Sequence, residues 1–177
     1  MQENNSVEDS MSMLDLISLR NILDEYDLQT AMLEKSEFMP LSSLVVNLSD
    51  DYKGRSRTLS FSFLPLPPDY FPDIKIMQIY SEFHCSVAEE QKATMEQLII
   101  KLNKLLTLGS LGFSDSHNVY FRYVHTIGKF TNLKEAESTL INLFDLITYS
   151  LDINEKVLDQ VALGEKTLEV AFAEFLG

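Results

Sequence analysis

Tryptophan is absent from this 177-residue chain, cysteine occurs once and glycine six times, and no apolar run approaches the length of a membrane span. Each scarcity closes off a class of protein. The single cysteine, Cys85, rules out an intramolecular disulfide and points to a reducing compartment. Six glycines leave little material for a phosphate cradle, and neither a P-loop nor a GxSxG elbow occurs. A membrane-spanning helix needs about 18 or more consecutive apolar residues, which the chain lacks. The stretch Met1–Ser10 has neither the basic start nor the apolar centre of a secretory signal, so a cytoplasmic location is expected. Basic residues are scarce too, 14 against 27 acidic ones, for a formal net charge of −13. Such a field repels phosphate backbones and anionic lipid, so neither nucleic acid nor membrane is an expected partner. It suits a basic protein partner, although solubility alone accounts for many acidic surfaces.

What is present suffices for a core. Hydrophobic residues make up 45% and aromatics 10% of the chain. At this length one domain is expected, and folding removes roughly 70% of the unfolded chain's surface from water. Residues 1–11 are polar and aperiodic and read as a disordered tail, leaving 12–177 as a single domain. Leu16, Leu19, Ile22, Leu23 and Tyr26 fall on one stripe and predict a helix at 13–26, whereas 28–35 fits neither period. Strands are expected at 44–48 and 58–64 around the polar turn 49–56, and at 74–85 after a proline-punctuated loop. Apolar residues on both faces of the third strand mark it as central. Ser86-Val87-Ala88-Glu89 reads as a capping box opening a helix through Leu106, with Met95, Leu98, Ile99, Leu102, Leu105 and Leu106 inward. Residues 108–113 and 119–126 read as a second hairpin, with Val119, Phe121 and Tyr123 on one face and Tyr120, Arg122 and Val124 on the other. Asn132 with Glu135 caps a helix carrying Leu140, Phe144 and Ile147. A last helical segment, 154–177, is interrupted at Gly164. The fold class is therefore α+β: an antiparallel sheet of about five strands, built from hairpins and packed against helices.

Four stretches punctuate this layout: Met39-Pro40-Leu41 ahead of the first strand, Tyr52-Lys53-Gly54-Arg55 leading into the second, Met77-Gln78-Ile79-Tyr80 within the third, and Leu108-Gly109 ahead of Val119-Tyr120-Phe121-Arg122-Tyr123. On these residues, across 14–150, the chain resembles bacterial proteins of the YbjN type, which have a type III secretion chaperone-like fold. The resemblance implies helices on one antiparallel sheet, frequent dimerisation, and binding of a protein segment. It carries over no catalytic residue, and it does not reach the segment after 150.

The residues with chemistry to offer are few. His84 and Cys85 are neighbours on a strand and point to opposite faces, so they cannot share a metal without a bulge, and His117 and His125 stand apart from any ligand spacing. Asp50, Asp51, Asp69 and Asp73 lack a calcium-loop register and read as solvated turn residues. No catalytic residue, cofactor or metal is expected. What remains is surface. Tyr120 and Arg122 suit an open sheet face, and Phe172 and Phe175 sit on the C-terminal stripe with Val157, Leu158, Val161, Leu168 and Ala171, opposite Glu155, Asp159, Glu165, Glu169 and Glu174. These residues point to a non-enzymatic interaction module, chaperone-like or regulatory, that binds a segment of another protein or its own second copy as a homodimer. The alternative is an acidic immunity or inhibitor protein that blocks a basic toxin or nuclease.

Overall fold

The computed structural model describes residues 2–37, 39–67, 69–114 and 116–177, with the backbone alone described over 2–10. Met1, Pro68 and Asp115, which sequence reading assigns to the tail and to two loops, lie outside these residues. In chain order the elements are helix α1 (Gln2–Asp24), strands β1 (Thr30–Leu33), β2 (Ser43–Leu48), β3 (Arg57–Leu64) and β4 (Ile74–Ser86), a 3₁₀ turn (Glu89–Gln91) and helix α2 (Lys92–Asn103). Strands β5 (Ser110–Phe113) and β6 (Asn118–Gly128) follow, then helices α3 (Glu137–Ala162) and α4 (Leu168–Leu176). The architecture is α+β. Six strands form an open antiparallel sheet in the order β1-β2-β3-β4-β6-β5, packed with four helices. The first four strands are a meander. β4 then pairs with β6, because β5 is the outer arm of the second hairpin.

The elements follow from local chemistry, and so do the departures from the sequence reading. Residues 2–11 contain no glycine or proline, and α1 begins at Gln2, well before the helix expected at 13. It ends at Asp24 because Asp27 adopts the left-handed conformation (φ 57°), with its N–H donating to the Asp24 carbonyl and that of Leu28 to the Leu23 carbonyl. This Schellman closure leaves Tyr26 outside the helix and exposed. The stretch without a clear period is β1, a short edge strand paired with β2 from Thr30↔Val46 to Leu33↔Ser43, and it makes the sheet six strands wide. Ser86 does not cap α2: it belongs to β4, and Ala88 enters the 3₁₀ turn without a side-chain cap. Leu105 lies beyond α2 and is exposed. The two C-terminal helices also divide elsewhere than expected. Nothing between Ile147 and Asn154 breaks a helix, so α3 runs on for 26 residues to Ala162 and stops where Gly164 takes φ 67°.

The chain packs as two compact units, each drawn from three stretches. The first comprises Met1–Leu48, Thr58–Ile79 and Val124–Phe144. It buries Leu16, Leu19 and Leu23 of α1 along with Leu44, Phe61, Met77 and Ile127 of the strands. Within it Lys75 Nζ lies 2.7 Å from both Asp15 carboxylate oxygens. The second comprises Ser49–Arg57, Tyr80–Tyr123 and Asp145–Gly177. Its apolar core includes Phe83, Leu98, Leu102, Phe121, Ile147, Leu158 and Leu168. Asn103, at the end of α2, holds the second hairpin: its Nδ2 donates to the Leu111 carbonyl and its Oδ1 accepts from the Leu111 N–H.

Candidate functional site

The part of α3 in the second unit presents two different stripes. Leu146, Tyr149 and Ile153, at i, i+3 and i+7, form an apolar stripe that faces solvent, and Tyr149 is 61% exposed. Beyond Gly164 the chain reverses. The N–H groups of Glu165 and Lys166 both donate to the Gln160 carbonyl, and Thr167 Oγ1 accepts from the Val170 N–H to start α4. Leu168 and Ala171 bury themselves, and α4 packs on α2. The C-terminal helix is thus built into its own unit. Between α3 and α4 lies an open groove of about 400 Å³, lined by Tyr149, Ile153, Lys156, Val157, Gln160, Ala171, Glu174 and Phe175. Its charged lining is one lysine, Lys156, and one carboxylate, Glu174, which is paired with Lys166.

The second stripe, Asp152, Glu155 and Asp159, is charged: Glu155 and Asp159 are turned inward, and Asp152 stands half exposed at its edge. The sequence reading puts Glu155 and Asp159 on the solvent face, and that is corrected here: they are 3% and 2% exposed. Asp51, expected as a solvated turn residue, is also buried. The reason is their partners. Asp51 Oδ1 accepts from the Lys53 and Arg55 N–H groups at 2.7 and 2.8 Å, and its Oδ2 meets Arg55 Nε. Asp159 Oδ2 receives Tyr52 Oη at 2.8 Å, Lys53 Nζ at 2.8 Å and Arg55 Nη2 at 2.7 Å. Arg57 Nη1 lies 2.7 Å from Asp152 and 3.2 Å from Glu155, and its Nε donates to the Ser49 carbonyl. The loop Tyr52-Lys53-Gly54-Arg55 is therefore clamped to α3 by ion pairs whose carboxylate is buried and whose cations are partly exposed.

Electrostatics follow burial and pairing. For Asp51, burial alone would raise the carboxyl, but hydrogen bonds from Arg55 and Lys53 and the Arg55 charge bring it down to about 2. Asp159 is likewise opposed by burial yet held below its ordinary value by Lys53, Arg55 and Tyr52. Glu155 goes the other way. Burial pushes it up to about 7, with Arg57 pulling back and Asp51 adding to the rise.

Of the residues singled out for partner contact, Tyr120 and Arg122 share the strand face opposite Val119 and Phe121, which are buried. Arg122 is exposed, and Tyr120 stacks on Tyr80 with centroids 5.4 Å apart, over the space left by Gly112, where a Cβ would collide with its ring. β6 runs unbroken through the span expected to be a strand; burial alternates along it as far as Arg122, and Tyr123, Val124 and His125 are all half-buried. Phe172 and Phe175 stack on each other on α4, half-buried, with Lys101 Nζ 4.9 Å from the Phe172 centroid. Only Phe175 of the four lines the groove. Tyr149, Ile153 and Lys156, which complete it, escape the sequence reading. The signal for them is the repeat Leu146, Tyr149, Ile153 on a helix whose other faces are already spoken for.

His84 is exposed, with Nε2 against the Ser56 carbonyl, and Cys85 on the opposite face is buried, its thiol pushed up to about 12 chiefly by burial. His117 meets Glu89 at 3.3 Å, and burial lowers the pKa of His125. Among the described residues, no group of three His, Cys, Asp or Glu side chains converges as a metal site. No helix among them is long and apolar enough to cross a membrane. No protein-family model matches the chain, and no curated protein matches it.

Proposed function

We propose that the protein is a non-enzymatic interaction module whose α3–α4 groove captures an amphipathic, basic segment of another protein. One observation carries this reading: an apolar strip, Tyr149, Ile153 and Phe175, lies open in a groove on a chain of net charge −13. Apolar anchors give such a site its affinity, and the net negative charge of the chain favours Lys and Arg at the edges of the docked segment. Tyr120 and Arg122, on the sheet face, offer a further contact for the same partner. The element order, a helix and meander followed by a helix, hairpin and closing helices, supports the chaperone-like layout that the YbjN resemblance implies. The buried lone thiol agrees with a reducing, cytoplasmic setting.

The test uses the full chain and helical segments selected against it from a display library. Selected segments are expected to combine Leu or Phe anchors with Lys and Arg. Tyr149→Ser and Ile153→Ser should each weaken their binding about tenfold or more without lowering the melting temperature, since both side chains are exposed. Binding should fall only modestly with salt, because apolar contacts supply the affinity. Selected segments that ignore both substitutions overturn the reading. A steep salt dependence would favour an acidic inhibitor of a basic toxin instead. A concentration-dependent dimer that Ile153→Ser converts to monomer would make a second copy of the chain the occupant.

A further inference from the structure

The Glu155 carboxyl is 3% exposed, and only half of it is satisfied: Oε2 meets Arg57, whereas Oε1 has no hydrogen-bond partner. The groups around it are Arg57 at the start of β3, Asp51 and Arg55 in the loop before it, Asp152 and Asp159 one turn away on either side along α3, and the Cys85 thiol from β4. Lys53 joins through Asp159. With every acid ionised, the carboxylates of Asp51, Asp152, Glu155 and Asp159 outnumber the cations of Lys53, Arg55 and Arg57 by one. The charge of Asp152 is partly solvated, so the count alone does not decide; a buried carboxylate oxygen without a donor is costly to ionise, and it is that oxygen which calls for a proton. Its place is set by elimination. Asp51 and Asp159 are saturated with donors, and Asp152 is half exposed, so water solvates it. Glu155 alone is buried with an oxygen left over.

We propose that Glu155 is a proton-controlled latch: protonated, it leaves cations and carboxylates balanced and the Ser49–Arg57 loop clamped to α3, and ionised, it gains hydration only when that loop opens. Burial and Asp51 place the titration at about 7, where small changes in acidity shift the population. In the opened state the carboxyl returns toward its ordinary 4.5. Opening is therefore favoured on the order of a hundredfold more above the titration than well below it. The latch does not depend on what the α3–α4 groove binds.

The direct measurement is a carbon-13 titration of the Glu155 carboxyl in the intact protein, with amide hydrogen exchange of residues 49–57 followed in parallel and corrected for the intrinsic rate. The expected result is a carboxyl midpoint near 7, with loop protection falling about tenfold or more between about pH 5.5 and about pH 8.5. Glu155→Gln, which mimics the protonated acid, should keep the loop protected at both values. A Glu155 midpoint below about 5 overturns the proposal, as does loop protection that ignores pH or falls equally in Glu155→Gln. Should that variant fail to fold, the carboxyl titration of the native chain decides.

Discussion

Arg57 is 5% exposed and spends its guanidinium on Asp152, Glu155 and the Ser49 carbonyl, so it is the cation that the cluster replaces least easily. Lys53, by contrast, keeps a partly solvated amine. Removing one partner of a buried pair leaves the other charge without compensation, which costs about 3 kcal/mol, whereas replacing both by apolar groups is often nearly neutral. Arg57→Met is therefore expected to lower unfolding stability by roughly 2–4 kcal/mol in urea titrations, and Arg57→Met with Glu155→Leu to recover more than half of that loss. A double variant no more stable than the single one would show that the pair contributes little to holding the fold. Cys85, next in the chain to His84, stays outside this chemistry: a buried thiol pushed up to about 12 supplies almost no thiolate at neutral pH.

At the scale of elements, α3 does two jobs on two stripes set by its 3.6-residue period. Leu146, Tyr149 and Ile153 lie outward, and Glu155 and Asp159 lie inward with Asp152 half exposed at their edge, interleaved in the same turns. Whatever binds the outer stripe thus contacts the helix that the charge cluster fixes. The reversal into α4 depends on Gly164, where an L side chain at φ 67° is strained, and on the Thr167 cap. Leu168 and Ala171 of α4 are core residues of the second unit. Truncation after Leu163 is accordingly expected to broaden thermal unfolding and expose dye-binding apolar surface, because α2 loses its cover. A truncated chain that melts as sharply as the intact one would show that α4 is an appendage.

Across the whole molecule, the opposed carboxyl shifts shape stability against pH. Asp51, depressed from 3.8 to about 2, contributes about 2 kcal/mol that is present above pH 3.8 and lost as pH falls through the folded value. Glu155, raised from 4.5 to about 7, acts in the opposite sense. The fold favours its protonated form, so stability falls by up to about 3 kcal/mol as pH rises from 4.5 through 7. Stability measured by urea titration should therefore peak in the interval between these two windows, on the acid side of neutrality. Asp51→Asn should flatten the acid limb and Glu155→Gln the neutral one, and a stability maximum near pH 8 in the native chain would contradict both assignments. The fold class, the meander, the second hairpin and the breaks before and after the strands were all legible in the chain, because they rest on local periodicity and on Pro and Gly. The short edge strand β1 was not, since four residues with one half-covered face carry too weak a pattern. Nor was the inward turn of Glu155 and Asp159. A helical wheel assigns carboxylates to water, and only the guanidiniums of Arg55 and Arg57, about a hundred residues away in sequence, make their burial tolerable. By itself the sequence determined the longer strands and the helical stretches that carry a clear apolar stripe, because hydrophobic spacing acts over a few residues. Tertiary structure alone decided which stripe of α3 faces solvent and which faces the clamp, because that choice lies with charges supplied by a distant loop.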